Sequence, residues 1–214
     1  MTTRWRSLWQ AVRPWPFNPP ELVLLTVLLI AGPLFVFTVP IGAGWYEETH
    51  AIRVWEIASL NFVPNEKPRN ELPFPAIYWN SSYRRPVLIR PIDDRSFWAD
   101  YFATSIGDQG YIYGDLPTRS VYSPVLLLPH AFAVRYLGMA RDLPALPVYH
   151  ASRLLGLLSY TVLAWLAVRL VPFGKWVMAV SAIAPTAVFQ AATISADPIS
   201  NGLAYLFVGG SLAL

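Results

Sequence analysis

Apolar residues fall in long unbroken runs, not at the alternating or helical spacing of a soluble core. The first, "LVLLTVLLIAGPLFVFTVPIGAGWY", carries no charge from Leu22 to Tyr46. About 20 such residues span the hydrocarbon core of a bilayer. The run therefore predicts a transmembrane helix over 22–42, kinked at Pro33, as membrane helices tolerate. A cleaved secretory signal would have an apolar region of only about 7 to 15 residues, so a retained helix is the better reading. Three more runs lie in 151–214 and predict three further spanning helices. "LLGLLSYTVLAWLAV" (154–168) sits between Arg153 and Arg169, which are expected to snorkel to the two interfaces. "WVMAVSAIAPTAVFQAATISA" (176–196) is uncharged, and "PISNGLAYLFVGGSLAL" (198–214) is still apolar where the sequence stops. "VYSPVLLLPHAFAVRYLGMA" (121–140) is interrupted by Pro124, Pro129, His130 and Arg135. It predicts a helix that dips into the membrane without spanning it. The fold class is an all-α polytopic membrane protein of about four transmembrane helices.

The polar segments orient these helices. Residues 1–21 carry Arg4, Arg6 and Arg13 and no acid before Glu21, which places the N-terminus in the cytoplasm. Residues 43–150 then form a long extracytoplasmic loop with juxtamembrane helices. It is rich in Pro and aromatics ("NEKPRNELPFP", "SSYRRPVLIRPIDDRSFWADYF"), too aromatic for a disordered linker. Asn80-Ser81-Ser82 fits a glycosylation sequon, a triplet common by chance. If 121–140 does not span, "RLVPFGKW" is cytoplasmic with Arg169 and Lys175, in accord with the positive-inside rule. Asp197 then lies on the same side as Glu47 and His50.

Composition agrees. The chain of 214 residues is 55% hydrophobic and 14% charged, with mean hydropathy +0.40, against about 25% charged residues in soluble domains. With no cysteine, disulfides, thiolate catalysis and Cys-based zinc sites are excluded. The formal charge of +3 is spread without a nucleic-acid-binding signature. Walker, dinucleotide and nucleophile-elbow motifs are absent.

Candidate chemistry concentrates in "WYEETHAIRVWEIA" (45–58). Glu47 and His50 share a face if the segment is helical, as a carboxylate base or metal ligand with an assisting histidine. The alternative is a charged rim in which Arg53 pairs with Glu56. Asp197, between two apolar runs, is a functional candidate; equally, Ser195 or Asp197 caps the next helix, with Pro198 in its first turn. Asp93, Asp94 and Asp100 with Arg84, Arg85, Arg90 and Arg95 read as loop ion pairs. His130 and Arg135, on one side of the dipping helix, are candidate contacts for a lipid phosphate.

The order of these motifs resembles an uncharacterised bacterial polytopic family, domain-of-unknown-function family 2142, grouped with the GT-C glycosyltransferases. Its Pro-Asp-Glu-x-x-His-x-x-Arg pattern is matched at Glu47, His50 and Arg53, with Ile57 and Ala58 in register and Tyr46 at the Asp position. "YSPVLLLPHA" (122–131), "ASRLLGLLSY" (151–160) and "PTAVFQAATISADPIS" (185–200) resemble its Tyr-x-Pro, Ala-Arg-Leu and Gln…Ser-x-Asp segments. The likeness covers most of 22–214, the N-terminal part of a family usually twice as long. It implies a GT-C-like N-terminal half in a bacterial inner membrane. A polyprenyl-phosphate sugar donor would be used on the extracytoplasmic face. Glu47, His50 and Asp197 become candidate catalytic residues; Arg53, His130 and Arg135 become candidate phosphate contacts. Some members use a divalent cation, for which Glu47 and Asp197 are the candidate ligands. A different class of function is a non-catalytic membrane subunit whose outer loop binds a partner protein or a lipid headgroup.

Overall fold

The computed structural model describes residues 17–63, 74–75, 78, 94–106, 110–112 and 122–213. Arg4, Arg6, Arg13, the Asn80 sequon, Arg84, Arg85, Arg90 and Asp93 lie outside them. Among the described residues there are eight α-helices: α1 (Pro19–Thr38), α2 (Glu47–Ala58), α3 (Arg95–Ala103), α4 (Pro124–Ala133), α5 (Ala145–Leu170), α6 (Lys175–Ala182), α7 (Pro185–Ala191) and α8 (Asp197–Ala213). α4 continues into a π-helical turn, Val134–Met139. The only pairing of extended chain among them is a two-residue antiparallel bridge, β1 (Phe74–Pro75) with β2 (Tyr111–Ile112). Of the sequence-predicted cluster, Asp94 caps α3 by accepting from the Phe97 amide at 3.2 Å.

Two helices are long and apolar enough to cross a membrane, α1 with 20 residues and α5 with 26. At 1.5 Å per residue they reach about 30 and 39 Å. They run antiparallel and are tied at both ends. At one end Glu21, inside the first turn of α1, accepts from Arg169 at 2.8 Å and from the Trp165 indole at 3.3 Å. At the other, Arg153 meets the last carbonyls of α1 and the start of α2. The two arginines expected to snorkel are thus buried in ion pairs. A snorkelling arginine needs water at its tip; here a carboxylate from another segment meets it first. Lys175 closes α5 by donating to the carbonyls of Val168 and Arg169, orphan acceptors at any helix end.

The run over 176–196 is not one helix. It breaks at Ile183–Ala184 into α6 and α7, because Pro185 disfavours helical geometry in the residue before it, and Ala184 has ψ 139°. The carbonyl freed at the break, that of Ala182, accepts from the buried Tyr160 hydroxyl at 2.7 Å. Backbone at such depth needs a partner of this kind. α8 then runs parallel to α5. A Cβ at Gly209 would lie 2.6 Å from the Ala167 carbonyl oxygen, so only glycine allows the two backbones so close.

Candidate functional site

The site is built where the end of α1, the start of α2, the outer turns of α5 and the 192–197 turn converge. Glu47 is the first residue of α2 and has no exposure to solvent. Its Oε1 accepts from Arg153 Nε at 2.7 Å and from the Ile194 amide at 2.9 Å. Its Oε2 accepts from Arg153 Nη2 at 2.7 Å and from the Gly44 amide at 3.1 Å. A carboxylate offers about four lone-pair positions, and all are taken. Arg153 is used equally fully. Its remaining donors reach the carbonyls of Val36, Val39 and Pro40 at 2.8, 2.7 and 2.8 Å. The guanidinium therefore spends its five N–H groups on Glu47 and on the carbonyl end of α1, where a cation also meets the negative pole of the helix. Its carbon lies 5.3 Å from the centre of the Tyr149 ring. Burial pushes the Glu47 carboxyl up, but the Arg153 charge and these hydrogen bonds outweigh it and hold the carboxyl below its usual range.

Three residues from Glu47, His50 is buried with its ring 5.2 Å from that of Tyr122. Burial lowers its pKa, and the negative charges of Asp197 and Glu47 oppose this without reversing it. His50 is thus a neutral imidazole at pH 7 beside a carboxylate. Asp197 opens α8 and is half-buried. Its amide donates to Ser195 Oγ at 3.2 Å, and Pro198 follows in the first turn. Asp197 stands at the same end of the bundle as Glu47, since Ile194 holds the Glu47 carboxylate.

The other sequence-predicted residues turn inward. Arg53 pairs with Glu56 at 2.6 Å, both buried, and donates to the carbonyls of Asn61 and Phe62 at 3.2 and 2.5 Å. This is the rim pairing foreseen as the alternative, folded into the core. Burial raises the Glu56 carboxyl, and Arg53 only partly offsets it.

His130 and Arg135, expected on one side of their helix, diverge. Five residues carry them most of a half-turn apart. Arg135 is exposed and donates to the Ala58 carbonyl at 2.7 Å. His130 is fully buried, its Nδ1 2.8 Å from the Ser152 carbonyl. That contact makes Nδ1 the protonated nitrogen. Nε2 has no hydrogen-bond partner, although the Ser195 carbonyl is near enough to favour the charged form. Burial dominates and lowers its pKa to about 4. The ring fits because position 156 is glycine: a Cβ there would run into the His130 imidazole.

Position 46 is also explained. Tyr46 caps α2 with φ 54° and no side-chain cap bond. That left-handed geometry suits Asn or Asp better than Tyr.

What the arrangement can do follows from which groups remain available. Glu47 and Arg153 form the frame. Asp197, with His50 beside it, is the half-buried acid of the junction. Among the described residues no three His, Asp or Glu side chains converge as metal ligands. With the Glu47 oxygens spent, Asp197 and His50 make too small a donor set for a divalent cation. Sequence reasoning missed Glu21 and the pairing of Arg153. The usable signal was a single arginine on each end of an otherwise uncharged helix.

Comparison with protein families matches the chain to the family described as "Predicted membrane protein (DUF2142)", over residues 29–209. The chain belongs to this family. No curated protein and no solved structure matches it.

Proposed function

We propose, with membership of the DUF2142 family of membrane proteins as premise, that the chain is a glycosyltransferase-like protein of the GT-C kind. In this reading it takes sugar from a polyprenyl-phosphate donor at the extracytoplasmic face. The observation that carries the reading is an apolar groove between α6, α7 and α8. Its volume is about 870 Å³, within the 300–1,000 Å³ typical of ligand pockets. Val177, Met178, Val208 and Leu212 line it, together with Gln190 and Asn201, whose side chains share a hydrogen bond of 3.2 Å. On α8 the lining residues Asn201, Ala204, Val208 and Leu212 follow one face at helical spacing. One turn back along that face is Asp197. A long isoprenoid tail laid in the groove would therefore present its head near Asp197 and His50.

The chemistry assigned to the site is one proton transfer. The donor's anomeric C–O bond breaks, the acceptor hydroxyl forms the new bond, and its proton passes to Asp197. Polyprenyl phosphate leaves with the bonding electrons. His50, neutral and close to Asp197, orients that carboxylate. Glu47 has no free lone pair for the proton, so the base is Asp197, and Glu47 is a positioning residue. Arg53, His130 and Arg135 enter as parts of the frame.

The test is photocrosslinking of a diazirine-bearing polyprenyl phosphate to the purified chain in detergent. Adducts on α6 and α8 are expected, reduced at least fivefold by Ala204→Trp and by unlabelled polyprenyl phosphate. Labelling that Ala204→Trp leaves unchanged, or that phosphatidylcholine competes away equally well, would overturn the reading.

A further inference from the structure

α4 and its π turn present two unlike faces. Leu127, His130, Ala131 and Val134 are buried against the rest of the chain. Val125, Leu128, Phe132 and Tyr136 are exposed, at 61, 44, 62 and 43%. Their spacing of three, four and four residues makes one stripe along the helix. At its end Arg141 lies over the Tyr136 ring, 4.6 Å from the centroid, and donates to the Tyr136 hydroxyl at 2.6 Å.

The neighbours of α4 fix its depth. His130 contacts Ser152 and Gly156 of α5, while Gly138 lies against Val148. Advancing eight residues along α4 thus retreats four to eight along α5, so the two helices run antiparallel. The Pro124 end lies beside the uncharged middle of α5, and the Met139 end beside its first turns. α5, at about 39 Å, exceeds the roughly 30 Å hydrocarbon core, so those first turns reach the headgroups. The exposed stripe therefore changes from aliphatic to aromatic to cationic as it climbs. Membrane-facing surfaces show this order, with Tyr at the interface and Arg at the phosphates.

We infer that α4 is a re-entrant helix whose outer face contacts lipid. Val125, Leu128 and Phe132 lie among acyl chains, and the Tyr136–Arg141 pair binds the phosphate of a phospholipid headgroup. The guanidinium is suited to this, since Arg141 is exposed and a guanidinium has five N–H groups to offer, one of which goes to the Tyr136 hydroxyl. The inference rests on the packing of α4 against α5 and is independent of the groove and of Asp197.

The absence of native cysteine permits a direct test. Single cysteines at Val125, Leu128, Phe132 and Arg141 are spin-labelled in the full chain, reconstituted in phosphatidylcholine vesicles. Accessibility to oxygen and to a water-soluble nickel chelate is measured by EPR. Labels at 125, 128 and 132 are expected to favour oxygen at least threefold, with the ratio reversed at 141. Leu127→Cys, on the buried face, should be closed to both reagents. Nickel access at 128 and 132 equal to that at 141 would overturn the inference, leaving the face in water. Closure of 128 and 132 to both reagents would also overturn it, because protein would then cover the stripe.

Discussion

Glu47 and Asp197 stand at the same junction and carry the same functional group, yet they are held in opposite ways. Glu47 is out of reach of solvent and fully hydrogen-bonded, whereas Asp197 is half-buried at the head of a helix. The first arrangement suits a fastening. The carboxylate ties Arg153, and through it the end of α1, to the turn that leads into α8. The second suits a reactive group, since the Asp197 side chain is reached by solvent while the Glu47 side chain is not. The difference teaches that a motif acid is assigned a role by its unspent lone pairs, not by its place in the motif.

The sharpest way to break this contrast is to remove the fastening. Arg153→Met leaves a buried carboxylate and the carbonyls of Val36, Val39 and Pro40 without their donor. Loss of one partner from a buried pair costs about 3–5 kcal/mol, to be read from thermal unfolding in a nonionic detergent. The double variant Glu47→Gln/Arg153→Met should recover part of that loss.

Acidification probes the same junction through His130. Its pKa falls from 6.5 in the unfolded chain to about 4 in the fold, so the unfolded state binds more protons between these values. The contribution of His130 to stability is therefore lost as pH falls from 6.5 towards 4, by about 3 kcal/mol at most. Glu47, lowered from 4.5, contributes its loss only below that value. Unfolding midpoints across pH 7 to 4 should fall less steeply in His130→Asn, while His50 keeps part of the slope.

Smaller effects refine the picture. Gly156→Ala drives a methyl into the His130 ring and should cost about 1–3 kcal/mol by overpacking. Tyr46→Asp replaces a left-handed tyrosine with a residue that tolerates this conformation and can cap the helix. It should raise stability by about 0.5–1 kcal/mol in the same unfolding assay.

Much of the scaffold was legible in the sequence. The uncharged runs at 22–42 and 154–168 marked α1 and α5, because length and apolarity are local properties. Pro185 was visible too, but its run was read as one helix, since the hydropathy of 176–196 is continuous while its backbone is not. The site was legible only as a set of residues. Glu47, His50 and Asp197 were named from their surroundings in the chain, and the fold does bring them together. Their division of labour depends on Arg153, which is 106 residues from Glu47, and no local pattern encodes that pairing. His130 and Arg135 were misjudged as neighbours, since five residues along a helix separates side chains that three or four would align.

The most direct test of the contrast is to measure unfolding of Glu47→Gln and Asp197→Asn side by side in one detergent at pH 7.5. Glu47→Gln should lose about 3–5 kcal/mol, since the Arg153 charge stays buried without its counterion. Asp197→Asn should remain within about 1 kcal/mol of the parent, the worth of an acid at a helix N-terminus. Equal losses, or a larger loss for Asp197→Asn, would contradict the assignment of Glu47 to the frame and Asp197 to the chemistry.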